Sequence, residues 1–189
     1  ADRLDRAVVL RLANNLRVRR MKAEAFEAAY AITQDMRLLS PGSPGLMAQL
    51  GQLQACSSVY QTPPWGDPFQ PAYYNAAVCL HTELHPQALL TALLTIESAH
   101  GRKRNQERPC GPRTLDLDIL MLGEQGQEVL TLASLVVPHP RLHLRAFALR
   151  PLLDISASLT HPVLGRSLVQ LFTDLPASER DSLEALGPL

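Results

Sequence analysis

Asp116 and Asp118 stand two positions apart in the run Gly111-Pro112-Arg113-Thr114-Leu115-Asp116-Leu117-Asp118-Ile119-Leu120. The run otherwise reads as a buried β-strand. Alternation along such a strand sends both carboxylates to one face and Leu115, Leu117 and Ile119 to the other. Aspartate is disfavoured in strands, and two carboxylates side by side repel unless a cation lies between them. Hard divalent ions such as Mg²⁺ are held in this manner, by one or two carboxylates together with substrate phosphates. Taken alone, an Asp-x-Asp pair is more often a solvated strand face. The segment before it shifts the balance.

Residues 102–113 hold Arg102, Lys103, Arg104, Arg108 and Arg113 against the single acid Glu107, in a chain whose 18 basic and 18 acidic residues cancel. Gly101, Pro109, Gly111 and Pro112 punctuate this segment as an irregular loop. Arginine grips phosphate oxygens with two parallel hydrogen bonds. An arginine-rich loop leading into a two-carboxylate strand therefore has the parts for a metal-bound polyphosphate. Upstream, residues 86–100 read as a helix, with Pro86 at the start and Gly101 at the end. Leu89, Leu93 and Ile96 form its core face. Glu97 falls in the last turn, where the helix dipole disfavours a negative charge. Two readings stay open for it: an ion pair with Arg102 or Arg104, or a hydrogen bond to a ligand.

The elements that must position these residues follow from periodicity. Strands are predicted over 8–13, 54–61, 73–82 and 115–122, with a short strand pair around 127–136. Helices are predicted from 18 to the low thirties, over 86–100, and near 143–153 and 166–175. Met21, Ala25, Ala29 and Ile32 mark the core face of the first helix. Ser40-Pro41-Gly42-Ser43-Pro44-Gly45 is a loop, and a short helix follows from Leu46 to Leu53. This order lacks the regular βαβ rhythm of a doubly wound sheet. It argues for an α+β fold with helices on a largely antiparallel sheet. On the strand 73–82, Tyr73 and Asn75 share one face, while Tyr74, Ala76, Val78 and Leu80 make the other apolar. The tail from Pro176 onward is acidic-polar and receives no role.

With 189 residues, 46% of them hydrophobic, the chain reads as one domain. No apolar run approaches the ~18 residues a membrane span requires. The amino terminus carries no signal-peptide pattern; lacking a starting methionine, the chain is read as trimmed or cut from a larger polypeptide. Cys56, Cys79 and Cys110 are odd in number and have no metal-ligand spacing, which fits a reducing cytoplasm. A nucleic-acid binder is disfavoured by 5% aromatic content and zero net charge, with no stacking pair on a central strand.

Three blocks carry a resemblance: SSVYQTPPWGDPFQPAYYNAAV (57–78), IESAHGRKRNQERPCGPRTLDLDILMLG (96–123) and VPHPRLHLRAFALRPLLDI (137–155). In content, order and spacing they resemble the 6-hydroxymethyl-7,8-dihydropterin pyrophosphokinase (HPPK) family. The resemblance implies a ferredoxin-like core with helices on both faces of the sheet, over a single domain 1–189 with an insertion within about 30–52. It implies transfer of a pyrophosphoryl group from ATP to the pterin's hydroxymethyl oxygen, releasing AMP. Asp116 and Asp118 match ligands of two Mg²⁺ ions, and Arg102 and Arg113 match arginines that steady the phosphates through the transition state. Glu97, Arg104, Arg108, Ile119, His139 and Arg145 match positions that contact ATP.

On the pterin side, Thr62 and Pro63 match a loop giving backbone contacts. Asn75, beside Tyr73, offers a donor and an acceptor to the amide-like edge of a pterin. Phe147 matches a stacking ring. Trp65 is read either as a further stacking residue or as an exposed loop side chain; without the resemblance, Phe147 reads as core and Tyr73 and Asn75 as an edge-strand polar pair. The expected partners are ATP and a reduced pterin, with no nucleic acid and no membrane. A cytoplasmic monomer is expected, and a link to another folate-pathway enzyme stays open.

Two departures from the family pattern stand out. Ala13-Asn14-Asn15-Leu16 replaces a Gly-Ser-Asn-Leu turn, and Pro109-Cys110 precedes Gly111 where an aromatic is common. They motivate the alternative of a catalytically weakened relative that binds nucleotide or pterin.

Overall fold

The computed structural model describes residues 6–14, 52–64, 72–104 and 115–188. The helix from 18 to the low thirties, the loop of the expected insertion, residues 46–51 of the helix expected over Leu46–Leu53, and the Asn15 turn lie outside these residues. Gln52 and Leu53, the last two residues of that expected helix, are instead strand, paired antiparallel with residues of the strand Tyr73–Thr82. Cys110, Trp65, Arg108 and Arg113 also lie outside the described residues.

One sheet organises the described chain. β1 (Arg6–Asn14) runs between β4 (Tyr73–Thr82) and β5 (Asp116–Leu122), antiparallel to both. The other side of β4 is paired by β2 (Gln52–Cys56) and β3 (Ser58–Thr62). The sequence predicts one strand there. The structure divides it at Ser57, whose hydroxyl accepts from the Ala77 N–H at 2.9 Å and so takes a place in the ladder. The expected antiparallel α+β architecture is what forms.

The register explains both faces. Val8, Leu10, Ala76, Val78, Leu80, Leu117 and Ile119 are buried together on one side against Leu89, Leu93 and Ile96 of α1 (Pro86–Ala99). On the other side Val9, Ala77, Leu120 and Met121 pack against α2 (Ala146–Ile155) and α3 (Leu168–Thr173). Helices therefore cover both faces, as expected. A 3₁₀ turn at Leu142–Leu144 precedes α2. The expected strand pair around 127–136 is a minimal ladder of β6 (Leu130–Thr131) and β7 (Val136–Val137).

The hairpin β8 (Thr160–His161) and β9 (Arg166–Ser167) was not foreseen. It takes the first residues assigned to the final helix. Ser167 instead caps α3, its hydroxyl accepting from the Gln170 N–H while Gln170 Oε1 accepts from the Ser167 N–H, both at 3.1 Å. The tail without a role contains α4 (Ala177–Arg180) and β10 (Glu184–Pro188), which pairs with β3 at the sheet edge. Glu184-Ala185-Leu186-Gly187-Pro188 lacks an apolar alternation, so only its tertiary pairing makes it a strand. No helix among the described residues is long and apolar enough to cross a membrane.

Candidate active site

Antiparallel pairing places Arg11 of β1 opposite Asp118 of β5, and Ala13 opposite both Asp116 of β5 and Asn75 of β4. Directly paired residues point to the same face, so Asp116, Asp118, Asn75 and Arg11 converge at one end of the α2 side. The expected common face of the two aspartates is observed. The cation between them is Arg11. Its Nη2 lies 2.8 Å from Asp116 Oδ2 and 2.5 Å from Asp118 Oδ2, and its Nε donates to Asp118 Oδ2 at 3.0 Å. Arg11 is only 5% exposed. Burial opposes its charge, but Asp118 and Asp116 outweigh that and raise the guanidinium pKa further.

The end of α1 delivers the next arginine. Gly101, at φ 84°, ends the helix in the left-handed region. Its N–H donates to Ser98 O and the Arg102 N–H to Glu97 O, both at 3.0 Å, the paired bonds of a Schellman motif. The reversal brings the Arg102 side chain back over the helix. There Nη1 donates to Glu97 Oε1 at 2.5 Å and to Asp116 Oδ1 at 2.6 Å. Arg104 Nη2 reaches Glu97 Oε2 at 2.5 Å, and the Leu117 N–H donates to Glu97 Oε1 at 2.8 Å. The ion pair expected for Glu97 is formed, with both Arg102 and Arg104. It is buried at the base of the site and tethers both arginines to β5.

The opposite wall comes from β3, β4 and α2. Asn75 is buried; its Nδ2 donates to Thr62 Oγ1 at 2.9 Å while its Oδ1 accepts from Arg11 Nη1 at 2.9 Å. Phe147, in the first turn of α2, has the guanidinium carbons of Arg11 and Arg145 at 5.2 and 5.5 Å from its ring centroid, cation–π distances. His139 is anchored to β5 by its N–H, which donates to Leu120 O at 2.9 Å. Its Nδ1 accepts from the Arg141 N–H at 3.1 Å, as a neutral ring does. Burial, together with Arg145 and Arg11, holds its pKa below the usual value despite Asp118.

These groups line a cavity of about 310 Å³. Thr62, Pro63, Tyr73, Asn75, Arg102, Arg104, Asp116, Asp118, His139, Arg145 and Phe147, all expected site residues, meet there. Ile119 does not: it lies in the core on the opposite face, against α1. Arg11 and Arg141 also line the cavity, and neither was anticipated. The signal for Arg11 was present as a lone charge inside the apolar run Val8-Val9-Leu10-Arg11-Leu12. Five arginines against two aspartates give the cavity an excess of positive charge suited to a polyanion.

Two carboxylates around one cation position are the oxygen donors Mg²⁺ prefers. Among the described residues no third His, Cys, Asp or Glu joins them. Phosphate and water oxygens would have to supply the remaining ligands. The residues present fit Mg²⁺ when it arrives with a phosphate ligand.

Residues 31–157 match the family described as 7,8-dihydro-6-hydroxymethylpterin-pyrophosphokinase. A Pseudomonas aeruginosa protein named 2-amino-4-hydroxy-6-hydroxymethyldihydropteridine pyrophosphokinase is 44% identical over 125 residues, covering 66% of this chain and 74% of that protein. A Synechocystis protein of the same name is 40% identical over 120 residues, covering 64% of this chain and 58% of its own length. The folic acid synthesis protein fol1 of Pneumocystis carinii is 43% identical over 116 residues, 61% of this chain but 15% of that longer protein. In fold, the chain is similar to the wild-type HPPK-DHPS of Plasmodium falciparum, solved with pterin and p-hydroxybenzoate. The TM-score is 0.62 at 15% identity, over 91% of this chain and 43% of that one. The fold and site define an α+β protein with an arginine-rich, two-carboxylate pocket. The chain belongs to the 7,8-dihydro-6-hydroxymethylpterin-pyrophosphokinase family.

Proposed function

We propose that the chain transfers a pyrophosphoryl group from ATP to 6-hydroxymethyl-7,8-dihydropterin, giving AMP and the pterin diphosphate for folate synthesis. The observation that carries this reading is the convergence of Asp116 and Asp118 with Arg102, Arg104 and Arg145 in one cavity that also holds Asn75 and Phe147. A polyphosphate subsite thus adjoins a subsite for a flat heterocycle. Family membership and the shared name of the bacterial relatives support the same activity.

The chemistry is in-line attack of an alcohol oxygen on the β-phosphorus, which demands positioning and charge neutralisation more than a covalent protein intermediate. Asp116 and Asp118 would hold the Mg²⁺, two ions in this reading, that neutralises the triphosphate and lowers the pKa of the attacking hydroxyl. Arg102 and Arg113 steady the transferring phosphates, and Arg104, Arg108, His139 and Arg145 orient the rest of the nucleotide. Glu97 is a positioning residue that aims Arg102 and Arg104. Asn75 and Thr62 present hydrogen-bonding groups to the pterin edge, Pro63 and Tyr73 line its subsite, Trp65 is assigned a further stacking role, and Phe147 stacks on the ring. ATP and the reduced pterin are the partners, in a cytoplasmic monomer.

The test is to incubate the protein with ATP, Mg²⁺ and the reduced pterin alcohol and to measure AMP. Asp116→Ala and Asp118→Ala should each lower the rate by about 10²–10³-fold, the scale of losing a main electrostatic contributor, while circular dichroism stays native. Normal turnover in either variant removes the metal-bridged mechanism. A second reading, a relative that binds without turnover, is favoured by the engagement of both aspartates by Arg11. Calorimetric binding of Mg²⁺–ATP with no AMP under saturating pterin would select it.

A further inference from the structure

Arg11 touches both halves of the cavity at once. Its Nη2 stands between Asp116 Oδ2 and Asp118 Oδ2, at 2.8 and 2.5 Å, where a cation shared by the two carboxylates would sit. Its Nη1 donates to Asn75 Oδ1 at 2.9 Å, and its guanidinium carbon lies 5.2 Å from the centroid of the Phe147 ring. One side chain therefore engages the metal-binding carboxylates, the amide that reads the pterin edge, and the ring on which the pterin stacks. A guanidinium in the position between the carboxylates occupies the place of a metal cation and repels it, and it already uses one of the two lone pairs of the Asn75 oxygen.

Resting on the pyrophosphokinase reading, we propose that Arg11 is an internal counter-ion competing with divalent metal for Asp116 and Asp118 and with pterin for Asn75 and Phe147. The site becomes competent when this side chain leaves. The contacts it would give up are strong, being buried and charge-assisted. A free divalent ion offers Arg11 nothing in return. A nucleotide-bound ion does, because its phosphate oxygens accept from the guanidinium in place of the carboxylates. Arg11 thus makes the site select the metal–nucleotide complex over the free metal, and couples metal entry to pterin entry.

Mn²⁺ alone, followed by the loss of its free-ion electron paramagnetic resonance signal, tests this without turnover. Apparent affinity falls with the fraction of molecules whose site is open, so R11A should bind Mn²⁺ at least about tenfold more tightly than the unaltered protein. Mg²⁺ should raise the Tm of R11A and leave that of the unaltered protein nearly unchanged. Adding Asp118→Asn to R11A should cancel both gains. Arg11→Gln keeps most of the side chain's reach without its charge; it carries the same expectation and covers a failure of R11A to fold. Equal Mn²⁺ affinity in all forms, or a gain that survives Asp118→Asn, overturns the proposal. AMP release measured in parallel separates the two claims. A Mn²⁺ gain without AMP in any form keeps the counter-ion and removes the pyrophosphokinase reading. AMP release with equal Mn²⁺ affinities does the reverse.

Discussion

Glu97, Arg102, Asp116, Arg11 and Asp118 alternate in sign along one chain of contacts, buried except at the half-buried Asp118, each bond between 2.5 and 2.8 Å. Burying any one of these charges alone is costly, and the neighbours offset that cost only while the chain is complete. This is why Asp116 and Asp118 are tested by AMP release with the fold monitored in parallel. A titratable group elsewhere gives a separate test of burial. His161 is 5% exposed, its Nδ1 accepts from the Leu164 N–H at 3.3 Å, and its ring meets His143 edge-on at 6.1 Å. Burial first, and His143 second, hold its pKa below the ordinary value. As the pH falls the unfolded chain takes up this proton first, so protons favour unfolding. The stabilisation is complete above pH about 6.5 and is lost as the pH drops through the lowered folded value. His161→Asn should flatten that acid limb in urea midpoints measured between about pH 5 and pH 7. An unchanged pH slope would mean that His161 does not resist protonation.

At the scale of elements, the turn after α1 fixes where the arginines begin. Gly101 has φ 84° and open space around its Cβ position, so the cost of a side chain there is conformational, not steric. Gly101→Ala should lower stability by about 1–2 kcal/mol. Because the same turn returns Arg102 to Glu97 and Asp116, it should also weaken Mg²⁺–ATP binding measured by calorimetry. Stability loss with unchanged nucleotide binding would show that Arg102 is held by its ion pairs without help from the turn. This turn was legible in sequence, since a glycine followed the last apolar helical position. The division of the expected 54–61 strand at Ser57 was not, because a serine in a strand gives no sign that its hydroxyl will fill a ladder position.

Across the whole molecule, α2 joins the cavity to the first residues of β3. Its first turn carries Phe147 into the cavity. Near its end, Asp154 accepts from the Tyr60 hydroxyl at 2.8 Å and from the Ser58 N–H at 3.1 Å, while Arg150 pairs with Asp154 at 2.9 Å. Burial and the bond to Asp154 push the Tyr60 phenol up to about 12. Asp154→Ala leaves that hydroxyl without its acceptor and should cost about 1–3 kcal/mol in chemical denaturation. The Tyr60 titration, followed by near-ultraviolet absorbance, should move down toward about 10, the unperturbed value. A phenol still titrating near 12 would assign the shift to burial alone.

The spacing of Asp116 and Asp118 in an apolar run, the helix ending at Gly101, and the faces of the strand 73–82 were readable from residue order. Each depends on a local period or a local turn, which the chain carries along its own length. What β1 contributes was decided only in three dimensions. Arg11 was a lone charge in a hydrophobic strand until antiparallel pairing set it opposite Asp118 and beside Asn75. The same holds for Ile119, which shares a strand with the aspartates but faces the core, and for β10, whose sequence has no strand alternation and becomes an edge strand through β3. Local order encodes which residues can do chemistry and which face they take. Cross-strand register, which no short window contains, sets which charges meet.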